Sequence, residues 1–243
     1  MSLIYDNKND MLIERHALDM LPEPQAKGIY HKPYPFAEYI EDIHTSLRRH
    51  NITVGDEQYA LQKDGERIFG IMTVGNFEDF QLTLGVRGSH DMSVARGIAI
   101  GTNVMVCSNL CFSGELFTGT AKQTTHNGDR ILQMIDDAVS RIDSAGTEQV
   151  DKFSTYKTTE VSDYTVSKIL TDCFRADGLS GAQLGKAIKE YDKPSYTEHD
   201  EYANTWKLLN AITQAIKPSG QGVDMNGIVR KTQICTNVLN TYL

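Results

Sequence analysis

Ser89, His90 and Asp91 stand consecutively and are the residue types of an acyl-transfer relay. Nucleophile, base and orienting acid are normally assembled from distant parts of a fold, because adjacent residues cannot turn all three side chains toward one another. The triplet therefore reads as a polar turn in which Asp91 caps the residues after it. Cys107 and Cys111 have the four-residue spacing of a zinc half-site, but Cys173 and Cys235 are isolated and none of the 7 histidines completes a ligand pair. Gly85, Gly88, Gly97 and Gly101 match neither a Walker loop nor the dinucleotide fingerprint, and no Gly-Lys-Ser/Thr occurs. Glu78-Asp79, Asp136-Asp137 and Asp200-Glu201 would serve two-metal strand cleavage only if they converged in a cleft, and taken singly they read as solvated surface. No catalysis, cofactor or metal is expected.

A different chemistry is suggested by aromatic residues placed beside cations. Any nucleobase can stack on an aromatic ring while Lys and Arg follow the phosphates, which is what a protein gripping a single strand requires. Arg67 and Phe69 fall on one side of a predicted strand, Tyr59 and Lys63 on one side of its hairpin partner, and Arg87 on a third strand. With Arg48, Arg49, Arg96 and Lys122 these cations are the expected phosphate contacts. Tyr59, Phe69 and His126 are the expected stacking surfaces. The competing expectation is that the same aromatics are core beneath helices.

The elements that must position these residues are legible in the apolar spacing. Pro22, Pro24, Pro33 and Pro35 make residues 1–35 an extended or loosely packed arm. Phe36, Tyr39, Ile40, Ile43 and Leu47 predict a helix over 36–50, with Arg48 and Arg49 at the end where cations suit its dipole. Residues 52–63 and 67–74, joined through Asp64-Gly65, predict a β-hairpin. Strict alternation predicts a strand over 80–88, with Arg87 pointing away from the apolar face, and further strands are expected over 98–107 and near 116–120. Residues 121–127, without a large apolar residue, read as a loop. After Asp129 the periodicity is helical, with Ile131 to Ile142 as one run, then helices near 166–174, 180–191 and 199–216. Strands first and helices after predict an α+β fold: an antiparallel β-sheet from the N-terminal half, packed by C-terminal helices. Domain bounds are the arm 1–35, the core 36–217 and a linker with a terminal segment, 218–243, that docks on the core or on a neighbour. Residues 163–191 superficially resemble a helix-turn-helix, but the second helix carries Glu190 beside Lys186 and Lys189, and helical core packing is the plainer reading.

The 243 residues hold 24 Lys plus Arg against 32 Asp plus Glu, a net charge of −8 that repels polyanions overall. Local balance differs: residues 81–127 carry Arg87, Arg96 and Lys122 against Asp91 and Glu115 only. Four cysteines make no disulfide scaffold. The opening residues show no signal-peptide pattern and no apolar run reaches membrane length, so a soluble, reducing, cytoplasmic setting is expected.

The central residues also form a longer pattern. A Phe-Gly strand at Phe69, Arg-x-Ser-His-Asp at Arg87–Asp91, Gly101, and Val-Cys-x-Asn-x-x-Phe-Ser-Gly from Val106 to Gly114 resemble the core of a phage-, prophage- and plasmid-borne family of unassigned chemistry. Residues Thr205 to Thr213 are similar to that family's late aromatic-x-x-x-Asn-Ala-Val/Ile-Thr helix. Length, acidity and the arm resemble one group within it, the single-stranded-DNA-binding RNA polymerase cofactors (Drc) of schitovirus-type phages. The resemblance implies a fold that is not an OB-fold, preferential and cooperative binding of single-stranded DNA, and a phage RNA polymerase as partner in the cytoplasm of an infected bacterium. No residue-level binding map comes with it. Arg87, His90, Asp91 and Asn109 of the motif equally suit a role in locking the fold. The rival expectation is a host-takeover or anti-defence factor that binds a protein through the arm or the C-terminal segment, without nucleic acid.

Overall fold

Strand β1 (Met11–Ile13) is followed by the single turn α1 (Arg15–Leu18), and β1 pairs antiparallel with β2 (Glu57–Gln62). The structure is a computed structural model describing residues 11–78, 80–104, 109–111, 117–124, 128–195, 203–217 and 225–243. The expected loose arm is thus tied to the sheet through residues 11–13, where β1 pairs with the edge of β2. Leu18 is buried, whereas Met20, Ile29 and Tyr30 stay exposed.

Helix α2 (Phe36–Arg49) buries Phe36, Tyr39, Ile40, Ile43 and Leu47 as one stripe. The hairpin follows as expected: β2, then β3 (Arg67–Asn76), joined through Lys63 and Asp64 at positive φ and Gly65 at φ 88°. Strands β4 (Phe80–Ser89) and β5 (Arg96–Val104) continue the antiparallel sheet. Both β6 (Asn109–Cys111) and β7 (Phe117–Ala121) pair with the far edge of β5, one after the other along its length. The strand β6 was not anticipated by the periodicity; β5 is described through Val104, and the rest of the expected strand, residues 105–107, lies outside the described residues. Among the described residues the path runs β1-β2-β3-β4-β5-β6, and β1 does not pair with β6 or β7, so the sheet is open.

One sheet face is the core. Tyr59, Leu61, Ile68, Met72, Phe80, Leu82, Leu84, Val86, Ile98 and Ile100 lie on it, each essentially inaccessible. Helix α2 packs on this face, with the Tyr39 hydroxyl donating to the Gly97 carbonyl at 2.9 Å. Helix α3 (Gly128–Val139) follows, lying against β7 and β5. The periodic run from Ile131 to Ile142 is two helices rather than one: α3 ends at Val139 and α4 (Ile142–Thr158) begins after a turn at Ser140 and Arg141. Helices α5 (Asp163–Arg175), α6 (Gly181–Asp192), α7 (Thr205–Ile216) and α8 (Met225–Asn240) complete the chain. They bundle on one another and join the sheet through Phe153 of α4, whose ring lies 5.0 Å from Phe80 and 4.6 Å from Trp206. The α+β class holds, with the N-terminal α2 sharing the cover with the later helices.

The helix starts follow capping chemistry. Ser180 accepts from the Gln183 amide while the Gln183 side chain accepts from the Ser180 amide, a full capping box at α6. Asn204 caps α7, which therefore begins at Thr205 rather than near 199. Ala187 and Tyr191 of α6 are buried against the bundle, so the helix-turn-helix resemblance is a packing motif here. The C-terminal segment docks on its own core: Cys235 and Leu239 of α8 are buried, and Asn240 accepts from the Tyr156 hydroxyl at 2.5 Å. Among the described residues no helix is long and apolar enough to cross a membrane.

Candidate nucleic-acid interface

Cross-strand pairing decides which side chains share the face opposite the core. The Lys63–Glu66 turn pairs Gln62 with Arg67, and from there Ala60 faces Phe69, Phe69 faces Arg87, Arg87 faces Gly97, and Gly97 faces Thr120. Directly opposed residues point to the same side of a sheet. Arg67, Phe69, Arg87 and Thr120 therefore stand on one outer face near the end of the sheet, all partly or fully exposed. Further along the same face Ile71, Thr73 and Thr83 are buried, while Gln58 and Ala99 on the flanking strands stay half-buried.

Arg87 forms no ion pair or hydrogen bond among the described residues, and its side chain lies flat over Gly97. A Cβ on Gly97 would come within 3.0 Å of the Arg87 Nε and 3.2 Å of its Cγ. The missing side chain leaves the channel through which Arg87 crosses β5 toward β7. Lys122 follows Thr120 by two residues, is exposed, and is likewise without a partner among the described residues.

The opposite end is held by a local network. Lys63 Nζ lies 3.5 Å from Asp91, and Arg67 donates to the Ser93 hydroxyl at 2.8 and 3.0 Å. Asp91 in turn accepts from the Ser93 amide at 2.9 Å, while Met92 takes a positive φ of 59°. Burial alone would raise the Asp91 carboxyl. The Ser93 and Ser89 hydrogen bonds and Lys63 outweigh it and hold the group far below the usual carboxylate range. The Ser89 hydroxyl bonds the backbone of Val94. His90 points elsewhere and stacks on Phe36 with centroids 3.7 Å apart. The Ser-His-Asp triplet is thus a capped turn, as expected: Ser89 and Asp91 meet at Ser93, and His90 turns away to Phe36.

Arg96 and Tyr59 do not join this surface. Tyr59 pairs with Gly70, on the core face, and is fully buried with its ring over that glycine, where a Cβ would come within 2.6 Å of it. Its hydroxyl donates to Glu57 at 3.0 Å. Arg96 is also fully buried: its guanidinium sits 4.5 Å from the Phe36 ring centroid and 5.2 Å from that of Tyr39, and donates to the Tyr34 carbonyl. Burial pushes its pKa down to about 10, so it remains a cation, stabilised by ring faces. Neither residue can serve as a stacking surface or a phosphate contact in this arrangement. Arg48 and Arg49 end the helix that covers the core face, so they lie on the other side of the sheet and pair with Glu41 at 2.7 Å and Asp136 at 3.6 Å. His126 lies outside the described residues.

Five of the ten sequence-derived residues are therefore brought to one end of the sheet: Lys63, Arg67, Phe69, Arg87 and Lys122. Sequence reasoning missed Gly97 and Thr120, although the alternation Thr118, Thr120, Lys122 carried a signal for the latter. It also missed Arg130, which shares a surface concavity with Lys122, Thr120, Gln133 and Asp137. Nothing in the sequence announces that α3 runs beside β7. Among the described residues no group of three or more His, Cys, Asp or Glu is disposed to hold a metal. No protein-family model, curated protein or solved structure matches this chain.

Proposed function

We propose that this protein binds single-stranded DNA on the outer face of its sheet and acts as a cofactor of a phage RNA polymerase in transcription, and in replication where the same strands are opened. The observation that carries the reading is the cross-strand pair Phe69 and Arg87, a partly exposed ring beside a cation that has no ion pair among the described residues, flanked by Arg67, Lys63 and Lys122. A ring offers a stacking platform to any base, and cations alongside it follow the backbone. The acidic surplus is compatible, because Arg87 and Lys122 have no acidic partner among the described residues. The polymerase partner and the infected-cell cytoplasm come from the motif resemblance to the schitovirus cofactors.

Fluorescence anisotropy with a labelled oligonucleotide, single-stranded against the matching duplex at three salt concentrations, tests the reading. Single-strand preference with a steep salt dependence is expected, and no binding at low salt would remove it. The rival reading, a protein-binding factor, draws on the exposed Met20, Ile29 and Tyr30 of the arm. It predicts that removing residues 1–35 abolishes capture of a protein partner and leaves nucleic-acid affinity unchanged.

A further inference from the structure

Strands β3, β4, β5 and β7 lie side by side, so the row Phe69, Arg87, Gly97, Thr120 runs across the strands, over about 14 Å at the ordinary spacing of ~4.8 Å per strand. Its groups change in order along the row. At the β3 end Lys63 and Arg67 are partly neutralised by Asp91. Arg87, at the centre, has no ion pair among the described residues and lies along the row over Gly97, where there is no side chain. Beyond β7 lie Lys122 and Arg130, both exposed and both without an ion pair among the described residues, lining one concavity with Asp137 as its single acid. Cations therefore stand at the β3 end, at the centre and beyond the β7 end of the row, and Arg130 carries the series onto α3.

Resting on the single-strand reading, we infer that the DNA strand crosses the sheet at right angles to its β-strands, stacks a base on Phe69, and leaves over the Lys122–Arg130 concavity on α3. Arg130 is then a phosphate contact, and Gly97 is a positioning residue that lets Arg87 lie along the path. The occupant follows from charge complementarity: Lys63, Arg67, Arg87, Lys122 and Arg130 follow one line past the partly exposed Phe69, beside the buried Ile71, Thr73 and Thr83.

The test is anisotropy with oligothymidylates of about 4 and about 16 nucleotides, the range of single-strand site sizes, using wild type, Arg130→Ala, Gly97→Ala, Arg87→Ala, the double variant Gly97→Ala/Arg87→Ala, and Arg175→Ala as a control cation on α5. Arg130→Ala should weaken binding of the longer strand on the order of fivefold and reduce its salt slope by ~0.7, as for loss of one phosphate contact, while Arg175→Ala changes neither. Gly97→Ala should weaken binding in the wild-type background and add nothing to Arg87→Ala, a coupling that general loss of stability would not produce. If Arg87→Ala weakens binding while Arg130→Ala and Gly97→Ala leave affinity and slope unchanged, the path is wrong and the single-strand reading survives. If the wild-type protein binds neither oligonucleotide, both fall.

Discussion

The imidazole of His90 and the guanidinium of Arg96 meet inside the protein, Nδ1 to Nη2 at 3.5 Å, beneath the ring of Phe36. Burial, and then the Arg96 charge, push the His90 pKa down to about 4. The folded protein therefore holds His90 neutral, whereas the unfolded chain takes up its proton near pH 6.5. Stability from this source is full above pH 6.5 and is lost as pH falls from 6.5 toward 4. Asp91, whose carboxyl is held low, contributes its own loss only below its ordinary range, at more acid pH. Urea unfolding at pH 7, 5.5 and 4.5 should show this decline, and His90→Gln should flatten it. An unchanged slope in the variant would assign the pH dependence to other groups.

The two central arginines should separate by experiment. Arg87→Ala should reduce the salt slope of single-strand binding by ~0.7 with folding intact, as should Lys122→Ala. Arg96→Met, which keeps apolar contact with Phe36 and Tyr39 but removes the charge, should leave that slope unchanged. A slope change with Arg96→Met would mean that Arg96 reaches solvent when DNA is bound.

Gly70 and Gly181 make a matched pair for stability. At Gly70 an added Cβ falls within 2.6 Å of the Tyr59 ring and 2.8 Å of Val86, and the two must shift against a packed core. Gly70→Ala should cost about 1–3 kcal/mol. At Gly181, the first residue of α6, nothing lies within 4 Å, and Ala is expected to be neutral or slightly stabilising. Thermal or urea unfolding of both variants checks the contrast. Equal effects would contradict the close approach of Tyr59 to Gly70.

Leu239 near the chain end is fully buried, so the last helix is part of the folding unit. Leu239→Ala should destabilise by about 2–5 kcal/mol. Should Leu239→Ala instead leave urea unfolding unchanged and alter only assembly on DNA, α8 would be docking on a neighbouring copy.

Removing the capping box at α6 gives a local test. Ser180→Ala should cost about 1 kcal/mol, measured by unfolding, because the Gln183 amide loses its acceptor.

The sequence by itself determined the elements and much of their order. Periodicity of two marked β3 and β4, periodicity near 3.6 marked α2, and Asp64-Gly65 located the hairpin turn, because these signals are local. The face on which each strand residue lands was decided only in three dimensions. The Lys63–Glu66 turn pairs Gln62 with Arg67, which puts Phe69 outward and Tyr59 against Gly70 in the core, and a one-residue change of register would exchange them. Arg96 opens a strand a few residues after the polar Ser89–Ser93 turn and reads as a surface cation. Its burial depends on Phe36, Tyr39 and Tyr34 arriving from α2 and the segment before it. Likewise Arg48 and Arg49 sit where a helix end favours cations, but the placement of α2 on the core face carries them away from Arg87. Which cations share a surface is set by contacts far apart in sequence, and so the row from Lys63 to Arg130 exists only in the folded protein.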